Sequence, residues 1–287
     1  MFLPVMAFLI IFHYLPMFGI RFAFTKYNLI KAPVFVGFDQ FRRLFSMPNF
    51  WSAFYNTLEL SIVKLLLNTG MAIIASLFLN EMISERTKKL TQTIIYLPHF
   101  MSWVVTASVF QMLFSPTSAG LVNQMLLKMG VIDKSIYFLG DSAWWRTTYY
   151  IINVWRETGW GTIIFMATLA GIDPGIYEAG SIDGATRMQK MWYITIPSIA
   201  NTILTVLILN LAKVMNLFES AFVLQNDAVM GTSQVLQTYV YYQTFNSGGI
   251  PDYGYTTAIG LFRSIVGMFL VLACNFASKK VRGRSIV

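Results

Sequence analysis

Six stretches of this chain gather apolar residues into runs of twenty or more, each long enough for a helix to cross a hydrocarbon layer of roughly 30 Å. They run from Phe2 to about Phe24, Ser52 to Leu79, Thr93 to Phe114, Thr147 to Ile172, Ser198 to Gln225 and Thr256 to Ala277. Inside lipid every backbone N–H and C=O must be satisfied within the fold, so runs of this length become helices. Composition agrees, because 56% of the 287 residues are hydrophobic and 12% are charged, about half the charge of a soluble domain. The expectation is an all-α integral membrane protein with six transmembrane helices, one domain over 1–287.

Several function classes fall away. One cysteine, Cys274, permits no internal disulfide and no thiolate cluster, and His13 and His99 are too few and too far apart to suggest a zinc site. The net charge of +8 does not indicate nucleic acid, because four of the 21 basic residues lie in the last nine positions after a hydrophobic run. There Lys279, Lys280, Arg282 and Arg284 suit a cytoplasmic anchor on anionic lipid. An even number of spans then brings Arg86, Lys88, Lys89, Arg187 and Lys190 to the same inner side, nine basic residues in all, against six outside: Lys26, Lys31, Arg42, Arg43, Lys128 and Lys134. Both termini are therefore expected in the cytoplasm. The chain enters hydrocarbon at Phe2 with no basic flank, so natural sequence is expected before Met1. A cleaved signal peptide competes with that reading, but no small-residue cleavage site follows the run.

Outer loops are expected over about 25–51, 115–146 and 226–255. In the first, Phe38, Phe41, Leu44 and Phe45 recur at helical spacing opposite Arg42 and Arg43, as in a helix lying at the membrane surface. The other two are about thirty residues each, too long for plain connectors, and suggest contact with something outside.

The most specific stretch is the inner loop at about 171–197. Asp173 is a good N-cap, and Pro174 sits where the first helical turn has an N–H to spare. Gly184 allows a reversal, and a second short helix from about Ala185 is expected to end before Pro197, whose ring bends the chain into the fifth span. Such a helix-turn-helix displays Ile176, Tyr177, Ala179 and Ile182 with too little chain to bury them. Two readings stay open from the residues alone: a partner's groove, or an amphipathic connector resting on headgroups.

This segment resembles the EAA loop of membrane subunits of binding-protein-dependent ABC importers. There Glu-Ala-Ala is followed after three residues by Gly and after nine more by Ile-x-Leu-Pro. Glu178, Ala179, Gly184, Ile194 and Pro197 match in type and spacing, with Gly180 in place of the third motif residue and Ile196 in place of the leucine. Val36–Phe45, Phe54-Tyr-Asn-Thr-Leu58 and Tyr96–Val105 are similar to the sugar-permease branch. Phe12-His-Tyr-Leu-Pro-Met-Phe-Gly19 is similar to permeases for complex oligosaccharides and polysaccharides, the alginate type among them. The resemblance covers nearly the whole chain and implies a MetI-like permease fold. It also implies Tyr177, Glu178, Ala179, Gly180, Asp183, Gly184, Ile194 and Pro197 as the ATPase-coupling residues. Two ATPase subunits would bind ATP and Mg, a second permease subunit, a paralogue, would complete the path, and a solute-binding protein would deliver sugar in the bacterial inner membrane. This chain has no Gly-Lys dipeptide, hence no Walker A phosphate loop, and is expected to be non-catalytic with no cofactor of its own.

Ionisable groups at membrane depth are expensive and become functional candidates. Glu59, Lys64, Arg156, Glu157, Lys213, Glu219 and Arg263 fall inside spans. Asn210, Lys213, Asn216 and Ser220 recur at three or four residues and are expected along one stripe of the fifth helix. The candidate path is thus Lys64, Trp155, Arg156, Trp160, Asn210, Lys213, Asn216, Glu219 and Arg263, with Trp155 and Trp160 as sugar-stacking rings. The alternative is pairing within the bundle or snorkelling, and Arg156 is not expected to pair with Glu157, because adjacent helical residues diverge by about 100°. Trp51, Trp144 and Trp145 near span ends suit interfacial anchors. If Lys64, Arg156, Lys213 and Arg263 face one cavity, the path favours an anionic, uronate-containing oligosaccharide. The rivals to an importer subunit are an ion-coupled secondary transporter, for which no internal repeat is found, and a membrane enzyme, for which no His, Asp or Cys cluster is found.

Overall fold

The computed structural model describes residues 2–28, 30, 32–246, 248 and 250–282. Lys31 and Arg284 lie outside them, as do the side chains of Lys280 and Arg282. The order begins with α1 (Phe2–Phe24), a two-stranded antiparallel ribbon of β1 (Thr25–Lys26) and β2 (Val34–Phe35), α2 (Asp39–Ser46) and the 33-residue α3 (Pro48–Asn80). It continues through α4 (Glu85–Phe100), α5 (Trp103–Leu113), α6 (Leu121–Lys128), α7 (Ser142–Leu169), α8 (Pro174–Ile182) and α9 (Arg187–Leu211). Short α10 (Glu219–Leu224), α11 (Met230–Ser233) and α12 (Leu236–Phe245) lead to the 30-residue α13 (Tyr253–Arg282).

Four helical segments are long and apolar enough to cross a membrane: α1, α3, α9 and the Tyr253–Phe276 part of α13. The bent pair α4 and α5 brings this to five. The 28 residues of α7 are also long enough, but Asn153, Arg156 and Glu157 dilute its apolar character. Outward-facing Phe78, Phe100, Phe269 and Phe276 are exposed, as the lipid-facing side of a membrane bundle requires and a water-soluble surface avoids.

Two spans differ from expectation. The third is not continuous: α4 and α5 meet at 103°. Pro98 tightens the end of α4 into a 3₁₀ turn, and Ser102 caps a new helix by accepting from Val105 N at 3.2 Å. The fifth span starts earlier and stops sooner, at Leu211. Its helix also passes Pro197, which the sequence was expected not to permit. The turn Met191–Thr195 widens to a π-helix, in which Ile196 N–H bonds to Met191 O, so the ladder is already shifted by one where the proline's N–H is missing. Ser198 Oγ donates to Ile194 O at 2.6 Å, occupying a further carbonyl. Pro16 in α1 is carried by the same device at Ile10–Tyr14.

The centre of the bundle is the α3–α7 pair, the most extensive helix contact among the described residues. One core cluster joins Leu60, Phe110, Trp145, Tyr149, Leu217, Leu224 and Val235, and another joins Leu44, Phe50, Met215, Leu236, Tyr255 and Ile259. Where lipid is as apolar as the side chains, packing and internal hydrogen bonds hold such contacts. Trp145 illustrates this and corrects its expected role as an anchor: it is fully buried, with Nε1 donating to Leu224 O at 2.9 Å. Within 226–255, Leu236 and Tyr239 of α12 enter the core. In 115–145, Asn123 ties α6 to Ser115 O and Ile136 O at 2.9 and 3.0 Å. The amphipathic α2 forms as expected, with Leu44 buried and Arg43 bonded to Asp252 at 2.9 Å.

Candidate functional site

The hairpin between α7 and α9 is built almost entirely from local chemistry. Asp173 Oδ1 accepts from Gly175 N at 2.9 Å and starts α8, with Pro174 in its first turn. Gly184, at φ +74°, ends it: Gly184 N–H bonds to Ser181 O and Ala185 N–H to Gly180 O, the paired closure that a left-handed residue permits. Thr186 and Gln189 form a reciprocal capping box that starts α9, two residues later than the Ala185 expected from the sequence.

The two arms are then stapled together. Tyr177 Oη lies 3.0 Å from Thr195 Oγ1, and a Cβ at Gly180 would sit 2.9 Å from Ile194 Cδ1, so these two motif positions pack on one another. Lys190 Nζ donates to Ser181 Oγ. No residue of α8 is buried, and Glu178, Ala179 and Asp183 are exposed together with Ile176, Ile182, Met188, Trp192 and Tyr193. The hairpin is thus closed by internal hydrogen bonds and carries its apolar side chains outward.

Inside the bundle a cavity of about 520 Å³ opens between α3, α7, α9 and the segment after it, within the roughly 300–1,000 Å³ range of small-molecule sites. Of the predicted path residues, Lys64, Trp160, Asn210, Lys213, Asn216 and Glu219 line it together. They do not share a helical stripe, however. Helix α9 has ended at Leu211, and Lys213 and Asn216 lie in turns and irregular chain before α10. The chain leaves the helix where the sequence spacing suggested continuation, and the turn itself delivers the side chains to the cavity.

The remaining three predicted residues lie elsewhere. Trp155 packs edge-on against Phe110, at 5.1 Å between centroids. Arg263 lines a separate cavity of about 380 Å³ with Tyr241 and Thr244; Phe218 and Gln237 are walls of both. Arg156 is structural: Nε and Nη2 donate to Met101 O at 3.2 and 2.8 Å, and its guanidinium lies 4.5 Å over the Trp103 ring. Its Nη1 also bonds to Glu157 Oε1, contrary to the expectation from adjacent helical positions. Backbone directions diverge there, but the long arginine stem curls back to its neighbour. Glu157 Oε2 lies 3.1 Å from His99 Nδ1, and His99 stacks on Trp160 at 4.7 Å. Glu59 likewise pairs inside the protein, with Arg146 at 2.7 Å.

Sequence reasoning missed Ser61, Asn68 and Asn153, all lining the cavity. Their signal was present as periodicity: Ser61, Lys64 and Asn68 fall at i, i+3 and i+7 on α3, and Asn153, Glu157 and Trp160 at i, i+4 and i+7 on α7. Two polar stripes inside two apolar runs face each other across the closest helix pair.

A lipid-facing helical bundle with a cavity lined by polar residues and an exposed hairpin between two of its helices is the build of a membrane transport subunit. The chain belongs to the family described as the binding-protein-dependent transport system inner membrane component, whose model matches residues 70–283. Protein LplB of Bacillus subtilis (strain 168) is 38% identical over 282 residues, covering 97% of this chain and 87% of its own. The polygalacturonan/rhamnogalacturonan transport system permease protein YteP of the same organism is 37% identical, covering 98% and 87%. The crystal structure of a bacterial alginate ABC transporter in complex with alginate pentasaccharide-bound periplasmic protein contains a chain that is 35% identical. It superposes with a TM-score of 0.89 over 99% of this chain and 94% of that one.

Proposed function

We propose that this chain is the membrane subunit of an ATP-driven importer that passes oligosaccharides, acidic uronate-containing ones in particular, into the cytoplasm by alternating access. A solute-binding protein hands over the sugar, a paralogous permease subunit completes the path, and two partner subunits bind ATP and Mg and hydrolyse the nucleotide. The chain itself is a single non-catalytic permease domain with six spans in the inner membrane, α7 serving as the fourth, and both termini are cytoplasmic. The acidic substrate is supported by what two similar proteins are named for, alginate and polygalacturonan, both built from uronates.

The observation that carries the reading is the stapled hairpin: Glu178, Ala179 and Asp183 exposed on α8, Gly184 at the reversal, and Ile194 and Pro197 at the base, on the same molecule as a polar cavity at membrane depth. Closure of an ATPase cleft on α8 would reach the cavity through α9, because the hairpin runs into that helix without a break. The test is co-purification with the ATPase. Glu178→Lys and Gly184→Pro are expected to lose the ATPase, the second because proline cannot adopt the positive φ at the reversal. Retained assembly with full ATP-coupled transport in both variants would overturn the reading.

A further inference from the structure

We infer that Ser61, Lys64 and Asn68 of α3 and Asn153 of α7 form a subsite for one carboxylated sugar unit, with Lys64 setting the preference for a carboxylate; this rests on the importer reading above. The first argument is charge. Both oxygens of Glu157 are engaged, by Arg156 and by His99, and Arg156 is occupied by Met101 and Trp103. Lys213 and Glu219, which also line the cavity, contribute one charge of each sign. Lys64 lines the cavity and makes no hydrogen bond or ion pair with any described residue. A cation held at membrane depth without a dedicated counter-ion is expensive unless an anion visits it.

The second argument is independent of charge. Ser61 Oγ, Asn68 Oδ1 and Asn153 Oδ1 are buried oxygens with no hydrogen-bond partner among the described residues, and all three residues line the same cavity. Native interiors leave few such atoms, because a buried polar group without a partner is costly. Asn153 is held in place by its own amide, which donates to Tyr149 O at 2.8 Å, while its carbonyl oxygen has no partner among the described residues. Three unpartnered acceptors and one ammonium along one cavity lining match a ring that offers several hydroxyl donors and one carboxylate. A neutral sugar would satisfy the acceptors and leave Lys64 unpaired. A simple anion would do the reverse.

The test uses the assembled transporter with its solute-binding protein in proteoliposomes and compares a uronate trisaccharide with its carboxyl-reduced form. The readout is the ratio of the two uptake rates. Lys64→Gln is expected to shift that ratio about tenfold or more toward the reduced sugar, the size of one charge-assisted hydrogen bond. Lys64→Arg should keep most of the wild-type preference. Asn68→Asp, one turn from Lys64 and nearly isosteric, supplies an internal carboxylate and is expected to shift the ratio in the same direction as Lys64→Gln, so the proposal does not hang on one variant's folding. A ratio within about twofold of wild type in both Lys64→Gln and Asn68→Asp overturns the subsite while leaving the importer reading intact. A wild-type complex that moves neither sugar contradicts the importer reading, and the subsite falls with it.

Discussion

Arg156 shows how one side chain can join elements that the sequence sets far apart. It bonds to the carbonyl of Met101 at the break between α4 and α5, lies over Trp103 at the start of α5, and steadies Glu157 beside it on α7. Only 12% of its side chain is exposed, so truncation would leave Met101 O and Glu157 short of partners in a low-dielectric interior. Arg156→Ala is expected to destabilise the purified subunit by about 3 kcal/mol, read as a lower thermal midpoint in detergent. An unchanged midpoint would deny it this role. Gly180 predicts the opposite kind of result. The atom that a Cβ would meet there is the mobile tip of Ile194, and alanine is the better helix former by about 1 kcal/mol. Gly180→Ala should therefore keep ATPase binding, and thermal unfolding should show stability within about 1 kcal/mol of wild type.

At the scale of elements, the hydrophobic runs were legible because lipid leaves the backbone few options. The ends and breaks were harder to read, since a proline's effect depends on whether the preceding turn can widen. Met191–Thr195 widens and carries α9 through Pro197, whereas Leu97–Phe100 tightens and hands over to a new helix. Polar residues in turns defeat periodicity altogether, and Lys213 and Asn216 reach the cavity from turns after α9 and not from a helical stripe. The stripes on α3 and α7 were readable and went unread because serine and asparagine in an apolar run draw less notice than a charge. Crossing geometry was not readable at all. Gly159 sits against the backbone of Ile95, where α4 crosses α7, and an added Cβ would overlap that carbonyl. Gly159→Val is expected to cost more than about 3 kcal/mol and to collapse the yield of folded subunit on size-exclusion chromatography. A normal yield would show that the two helices can part.

Across the whole molecule the proposed function joins an outer supply of sugar, a cavity lined by polar residues and a hairpin proposed to receive mechanical work. The charges divide along the same lines. Arg43, Arg146 and Arg156 are spent on internal pairs, Lys190 braces the hairpin, and Lys64 and Lys213 remain facing the cavity. In the proposed function, work enters through the hairpin and not through an ion gradient. That is tested most directly by uptake of a labelled uronate oligosaccharide into proteoliposomes holding the complete complex. Uptake is expected to require both ATP and the solute-binding protein, to persist when proton and sodium gradients are collapsed, and to be lost in Gly184→Pro. Uptake driven by a proton or sodium gradient without ATP, and unaffected by Gly184→Pro, would contradict it.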